Sequence, residues 1–180
     1  MKKSLMMDRL LLVDADVVIE FKKQGYWKAV INRYKIHIAA TVLREASYYE
    51  DDSGNKVPID LSDDIRNGKV VEDGASLEQI QALLQKIPRD KIDLDPGELE
   101  SVAIISNWPD EELKICVIDH AAVVALSFLK LRDRAISFEE IVVSCGIWRR
   151  GDKVPDHRLS KKRFEEWATE GNFIQLSEDG

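Results

Sequence analysis

The chain reads as an α/β protein with a mostly parallel sheet covered by helices on both faces, and three observations predict it. Two short apolar runs, Arg9-Leu-Leu-Leu-Val-Asp14 and Leu113-Lys-Ile-Cys-Val-Ile-Asp119, have the length and composition of buried strands, and each stops at an aspartate. Stretches of helical period lie between them. The clearest is Ser76 to Ile87, with Leu77, Ile80, Leu83, Leu84 and Ile87 on one face, and Pro88 ends it. Strands that alternate with helices pair in parallel, because each return crossover lays a helix on the sheet.

Taken in order, the first strand leads into a helix that Asp16 caps and Gly25 closes. Tyr26 to Tyr34 has helical spacing and is followed by a β-rich run, Lys35-Ile-His-Ile-Ala39. Thr41 is placed to cap a helix reaching about Glu50, with Glu45 inside it. Asp51 to Asn55 is a loop; a short helix is expected over Ser62 to Asn67 and a short strand over Lys69 to Glu72. Asp95 with Pro96 behind it is a strong start signal for a helix to about Trp108. Helices are also expected over Ala121 to Leu131 and from Ser137 to about Cys145.

The 180 residues suit one domain with a short appendage. The division drawn is residues 1–145 as the α/β domain and 146–180 as a basic extension. The extension carries Arg149, Arg150, Lys153, Arg158, Lys161, Lys162 and Arg163, with one amphipathic helix from Ser160 to Glu170. Its Trp148 and Trp167 can stack on bases or dock onto the domain. Cys116 and Cys145 have no metal-ligand spacing and read as reduced thiols of a cytosolic protein. Met1-Lys2-Lys3 begins like a signal peptide, but Asp8 and Arg9 interrupt it, and no apolar run is long enough to span a membrane. A cytoplasmic location is expected.

The net charge of −7 argues against a protein that coats nucleic acid, which needs clustered Lys and Arg. A nuclease with a carboxylate metal site is compatible with it, because the bound cation offsets the acids. Ligands of parallel sheets sit beyond the carboxyl ends of the strands. Two buried strands that end in Asp14 and Asp119 therefore place both carboxylates on one rim. A strand-end Asp also caps the helix that follows, and Glu45, Glu98 and Glu100 near helix starts suit the helix dipole, so singly each acid has a structural use.

Together these motifs resemble a known family. An apolar strand ending in Asp14, a helix carrying Val42-Leu-Arg-Glu45, the start Pro96-Gly-Glu-Leu-Glu100, and a strand ending in Ile118-Asp119 look, in that order, like a PIN domain. The nearest branch is the one related to the toxins of toxin–antitoxin pairs. The resemblance spans about Leu10 to Val143 and implies a three-layer α/β/α fold. It also implies cleavage of single-stranded RNA with Mg²⁺ or Mn²⁺, an antitoxin protein as partner, and homodimerisation. It assigns Asp14, Glu45 and Asp119 as the first, second and fourth acids. Glu100 and Glu98 both fit the third, and Asp16 adds a further candidate ligand where the family has a hydroxyl or amide residue. His120 stands where the branch often has a second Asp, as a surface or capping His or as a group near phosphate.

Two other readings compete. Val13-Asp-Ala-Asp16 resembles the Asp-x-Asp of haloacid-dehalogenase-type phosphatases, with Asp14 as nucleophile and Asp16 as acid/base. A catalytically inert PIN-like scaffold that binds RNA or protein would keep the fold and lose the metal.

Overall fold

Strand β1 (Arg9–Val13) lies between two parallel neighbours, β2 (Tyr34–Ala39) and β6 (Lys114–Cys116), in a computed structural model that describes residues 9–178. Strand β5 (Val70–Asp73) pairs in parallel with the far side of β2, giving the order β5-β2-β1-β6. Side chains from both faces of these strands are buried: Leu11, Leu12, Val13, Ile36, Ile38 and Ile115 are all fully covered. That is why the strands read as unbroken apolar runs rather than alternating ones. Helices flank the four-stranded sheet in a three-layer α/β/α sandwich, as the sequence predicts. The expected N-terminal feature, Met1 to Asp8, lies outside the described residues.

Between the strands run α1 (Ala15–Lys23), α2 (Trp27–Arg33), α3 (Ala40–Glu45), α4 (Ser62–Arg66), α5 (Leu77–Lys86) and α6 (Pro96–Asn107). After β6 come α7 (His120–Phe128), α8 (Phe138–Ser144) and α9 (Lys161–Glu178). The strongest start signals are realised as closed capping boxes. Ser76 with Gln79, Asp95 with Glu98, and Ser137 with Glu140 each satisfy two orphan amides reciprocally.

Several boundaries differ from the sequence expectation: the last helix runs on to Glu178 instead of ending near Glu170, and β6 ends at Cys116, three residues short of Asp119. Asp14, not Asp16, occupies the N-cap position of α1, and Asp16 lies in the first turn. Helix α3 stops at Glu45 instead of reaching Glu50. Tyr48–Glu50 forms strand β3, paired antiparallel with β4 (Lys56–Pro58) around the expected Asp51 to Asn55 loop. Two adjacent tyrosines favour an extended hairpin over a further helical turn. Thr41 does not cap α3 either. It sits inside the first turn, and its amide is taken by a side chain from α6 described below.

The C-terminal residues belong to the same packed body. Leu159, Phe164 and Ala168 are buried in the cluster that contains the strand residues. Trp148 donates its indole N–H to the Tyr26 hydroxyl at 3.1 Å, and Trp167 packs edge-on against His120. Both cysteines are free, Cys116 fully buried and Cys145 half-buried. Among the described residues no helix is long and apolar enough to cross a membrane.

Candidate active site

The chain steps outward from β1 through β2 to β5 and then returns to the other side of β1 with β6. The crossovers therefore diverge at the carboxyl ends of β1 and β6. In open α/β sheets such a switch point leaves a crevice. Asp14 follows the last residue of β1, and Val13 is in register with Cys116 of β6, three residues before Asp119. A cavity of about 210 Å³ opens there, lined by Asp14, Ala15, Asp16, Ile19, Glu45, Asp95, Glu98 and Asp119.

Each acid arrives by a different route. Asp14 is held by the turn from β1 into α1, is only 5% exposed, and makes no capping bond to the helix it precedes. Burial pushes its carboxyl up to about 7, partly opposed by the Ala15 amide and reinforced by the charges of Asp16, Asp95 and Glu45. Asp119 caps α7 through the Ala121 amide at 2.8 Å and still reaches the cavity, so its structural and site roles coexist. Glu98 is buried in the first turn of α6, and its carboxyl is raised well above the usual range. Burial is the main cause, the Asp95 amide opposes it, and the charge of Asp119 and a hydrogen bond to it add to it.

Glu45 and Asp16 stand at the mouth and are exposed. The Glu45 carboxyl is raised by partial desolvation and then by the charge of Asp95. Desolvation also raises Asp16, while Arg158 counteracts it. Gly97 lets Glu45 come this close. A methyl group there would overlap the Glu45 carboxylate and press on Val42.

Glu100 goes elsewhere. It lies two residues beyond Glu98, and a helix turns those positions roughly 200° apart. Its buried carboxylate accepts the Thr41 amide at 2.8 Å and the Ala75 amide at 3.4 Å, joining the start of α3 to the loop after β5. Of the two candidates for the third acid, Glu98 lines the cavity and Glu100 does not. His120 also turns away, and its Nε2 pairs with Glu170 Oε2 of α9 at 2.7 Å.

A second, larger groove of about 440 Å³ adjoins the cavity, sharing Asp16, Ile19 and Glu45 with it. Its remaining lining includes Tyr48 and Tyr49 of the hairpin, Lys23 of α1, and Arg158 from the 3₁₀ turn His157–Leu159. The sequence reading treats Asp95 only as a cap, Arg158 as one of a basic run, and Tyr48 as helical. Asp95 is recoverable from Asp95-Pro-Gly-Glu98, because a capping box holds both acids at one helix tip. No local signal marks Arg158.

The cavity wall offers only carboxylate oxygens as charged groups, hard donors of the kind Mg²⁺ and Mn²⁺ prefer. Burial, with the neighbouring acids adding to it, raises the carboxyls of Asp14 and Glu98, and no cation in the wall offsets it. The acids are not drawn into a closed shell: among the described residues, no group of three or more His, Cys, Asp or Glu side chains is arranged to hold a metal ion. Compared with known protein families, curated proteins and solved structures, the chain matches none.

Proposed function

We propose that the chain is a metal-dependent endoribonuclease that cleaves single-stranded RNA at the carboxylate cavity. The observation that carries this reading is the convergence of Asp14, Asp119 and Glu98 from three separate elements on one cavity at the switch point, with no Lys or Arg in its wall. Chemistry done by side chains alone would need a nucleophile with its base, or a cation to hold the phosphate. The cavity lining holds no Lys or Arg for the phosphate, so even Asp14 as nucleophile with Asp16 as acid/base would need a bound cation beside them.

Asp14, Glu98 and Asp119 are the groups that would hold a divalent ion, with Asp16 and Glu45 at the mouth. Mg²⁺ keeps several waters and takes only one or two carboxylates directly, so a cavity of about 210 Å³ suits an ion with part of its hydration shell. When bound, such an ion supplies an activated water and neutralises charge on the phosphate. The chain's own contribution is to offer the buried Asp14 and Glu98 carboxylates to that cation in place of protons. The wider reading rests on the family resemblance: a toxin acting in the cytoplasm as a homodimer and restrained by an antitoxin.

One observation favours the inert-scaffold reading, namely that the acids are not assembled as a ligand shell. The test is cleavage of a labelled unstructured RNA oligonucleotide with Mn²⁺ or Mg²⁺. The expected outcome is cleavage that EDTA abolishes and that Asp14→Asn or Asp119→Asn lowers by about two orders of magnitude or more. Metal-independent cleavage, or hydrolysis of p-nitrophenyl phosphate in its place, would overturn the proposal. No cleavage and no metal binding by calorimetry would leave the scaffold.

A further inference from the structure

The groove beside the cavity contains groups that the carboxylate chemistry does not use. Arg158 is carried by the C-terminal extension, far in sequence from the acids, yet it lines the same groove as Asp16 and Glu45. Its orientation is fixed rather than accidental. Asp156 accepts the Arg158 backbone amide at 2.9 Å and its Nε at 3.0 Å, so one residue sets both the turn and the guanidinium. Among the described residues, the terminal guanidinium nitrogens have no hydrogen-bond partner, which leaves that edge available for a bidentate contact. Across the groove, the hairpin presents Tyr48, one of the few large apolar side chains left exposed, at 41%. Lys56 lies over one face of the Tyr48 ring at 4.3 Å. Lys23 of α1 adds a second positive charge to the groove.

Glu20 and Glu50 also line the groove, so its positive charge is confined to Arg158 and Lys23; a planar aromatic beside a braced arginine is what a single nucleotide needs. The ring offers a stacking face and the guanidinium a phosphate contact. A volume of about 440 Å³ lies within the roughly 300–1,000 Å³ typical of small-ligand sites. A duplex keeps its bases stacked inside and cannot offer one to Tyr48.

Resting on the nuclease reading for its choice of ligand, we propose that this groove is a nucleotide subsite of the active site. In it Arg158 takes a backbone phosphate next to the carboxylate cavity and Tyr48 stacks on the unpaired base attached to it. The C-terminal extension is then part of the substrate site. It supplies cationic contact that the cavity itself lacks, and the groove selects single strands.

The test is equilibrium binding of a fluorescently labelled, unstructured RNA oligonucleotide by anisotropy in EDTA, where no cleavage occurs, with the full chain and a salt titration. Arg158→Ala is expected to weaken binding about tenfold and to make the slope of log affinity against log salt shallower by about 0.7, the value for one phosphate contact on a single strand. Arg158→Lys keeps the slope and recovers part of the affinity. Tyr48→Ala weakens binding about tenfold with the slope unchanged, and Tyr48→Phe binds like wild type. Thermal unfolding of each variant checks that the fold is intact. Unchanged affinity and slope in Arg158→Ala and Tyr48→Ala, or equal affinity of the wild type for a duplex of the same length, overturns the subsite. A wild type that binds and responds in this way but cleaves nothing with metal would defeat the nuclease reading and leave the subsite standing.

Discussion

The carboxylate cavity and the seam between α7 and α9 use similar residue types to opposite ends. In the seam, polar groups are matched. His120 pairs with Glu170, and the Ser127 hydroxyl donates to the Ala168 carbonyl at 2.5 Å, with Asn172 at 2.8 Å. Gly171 lets the helices close, since a side chain there would strike the Val124 carbonyl and Ser127. In the cavity, acids face acids: burial raises Asp14 and Glu98, the neighbouring carboxylates add to it, and no Lys or Arg in the wall offsets it. Both features flank α7, which begins at the cavity with its cap Asp119 and carries His120 beside it. The difference separates stability from function: the seam holds α7 in place, and the cavity accepts a local cost that a ligand can relieve.

The largest expected effect comes from breaking the matched side. Gly171→Ala adds a methyl group against backbone atoms of α7, which cannot move aside as a flexible side chain could. Alanine gains about 1 kcal/mol of helix propensity over glycine. Overpacking against fixed backbone is expected to outweigh that gain and leave a net loss of about 2 kcal/mol. Urea unfolding measures it. A variant as stable as the wild type would mean that the seam does not anchor the extension as described.

The unmatched side predicts the reverse sign. Folded Asp14 keeps its proton to about pH 7, whereas in the unfolded chain it titrates near its ordinary 3.8. Between those values the folded state binds a proton that the unfolded state has lost. The Asp14 contribution to stability therefore falls as pH rises through this window and stays low above it. Asp14→Asn removes that dependence and is expected to be more stable than wild type at pH 8 by about 1–2 kcal/mol, despite losing activity. Chemical denaturation at pH 5 and pH 8, with and without Mg²⁺, follows it. Millimolar Mg²⁺ should narrow the gap by stabilising only the wild type. If Asn at this position destabilises at both pH values, the carboxylate is structural.

How much of this was legible depended on whether the signal was local. The buried strands could be read because a strand covered on both faces has to be apolar throughout, and the aspartates just past the ends of β1 and β6 mark the rim. The capping boxes were equally plain, each set by residues three apart. The sequence makes α3 look longer than it is because Val42 to Glu50 has no breaker; the tyrosine pair there favours a hairpin instead. Arg158 could not be found by pattern at all. Its approach to Asp16 depends on the chain from α8 to α9 folding back over the sheet rim, a long-range event that adjacent residues do not encode. Glu98 and Glu100 remained undivided for a related reason: both lie near a helix start, and only the placement of α6 decides which faces the cavity.

That pair gives the finest test of the contrast, because two glutamates one residue apart are assigned to opposite sides of it. Glu100→Gln keeps the shape but leaves one acceptor oxygen where the carboxylate has two. One of the partly buried Thr41 and Ala75 amides then loses its partner, at an expected cost of about 1–2 kcal/mol. The folded variant should still cleave RNA at a rate within a few-fold of wild type. Glu98→Gln retains an oxygen for the Asp95 amide, since glutamine serves a capping box as well as glutamate does. It removes a buried carboxylate that faces the charge of Asp119 and is expected to hold or raise stability while lowering metal-dependent cleavage at least tenfold. Denaturation curves and initial rates on the same preparations separate the two. If Glu100→Gln were the inactive but stable variant, and Glu98→Gln the active and weakened one, Glu100 would be the third acid and the cavity wall would have to be redrawn around it.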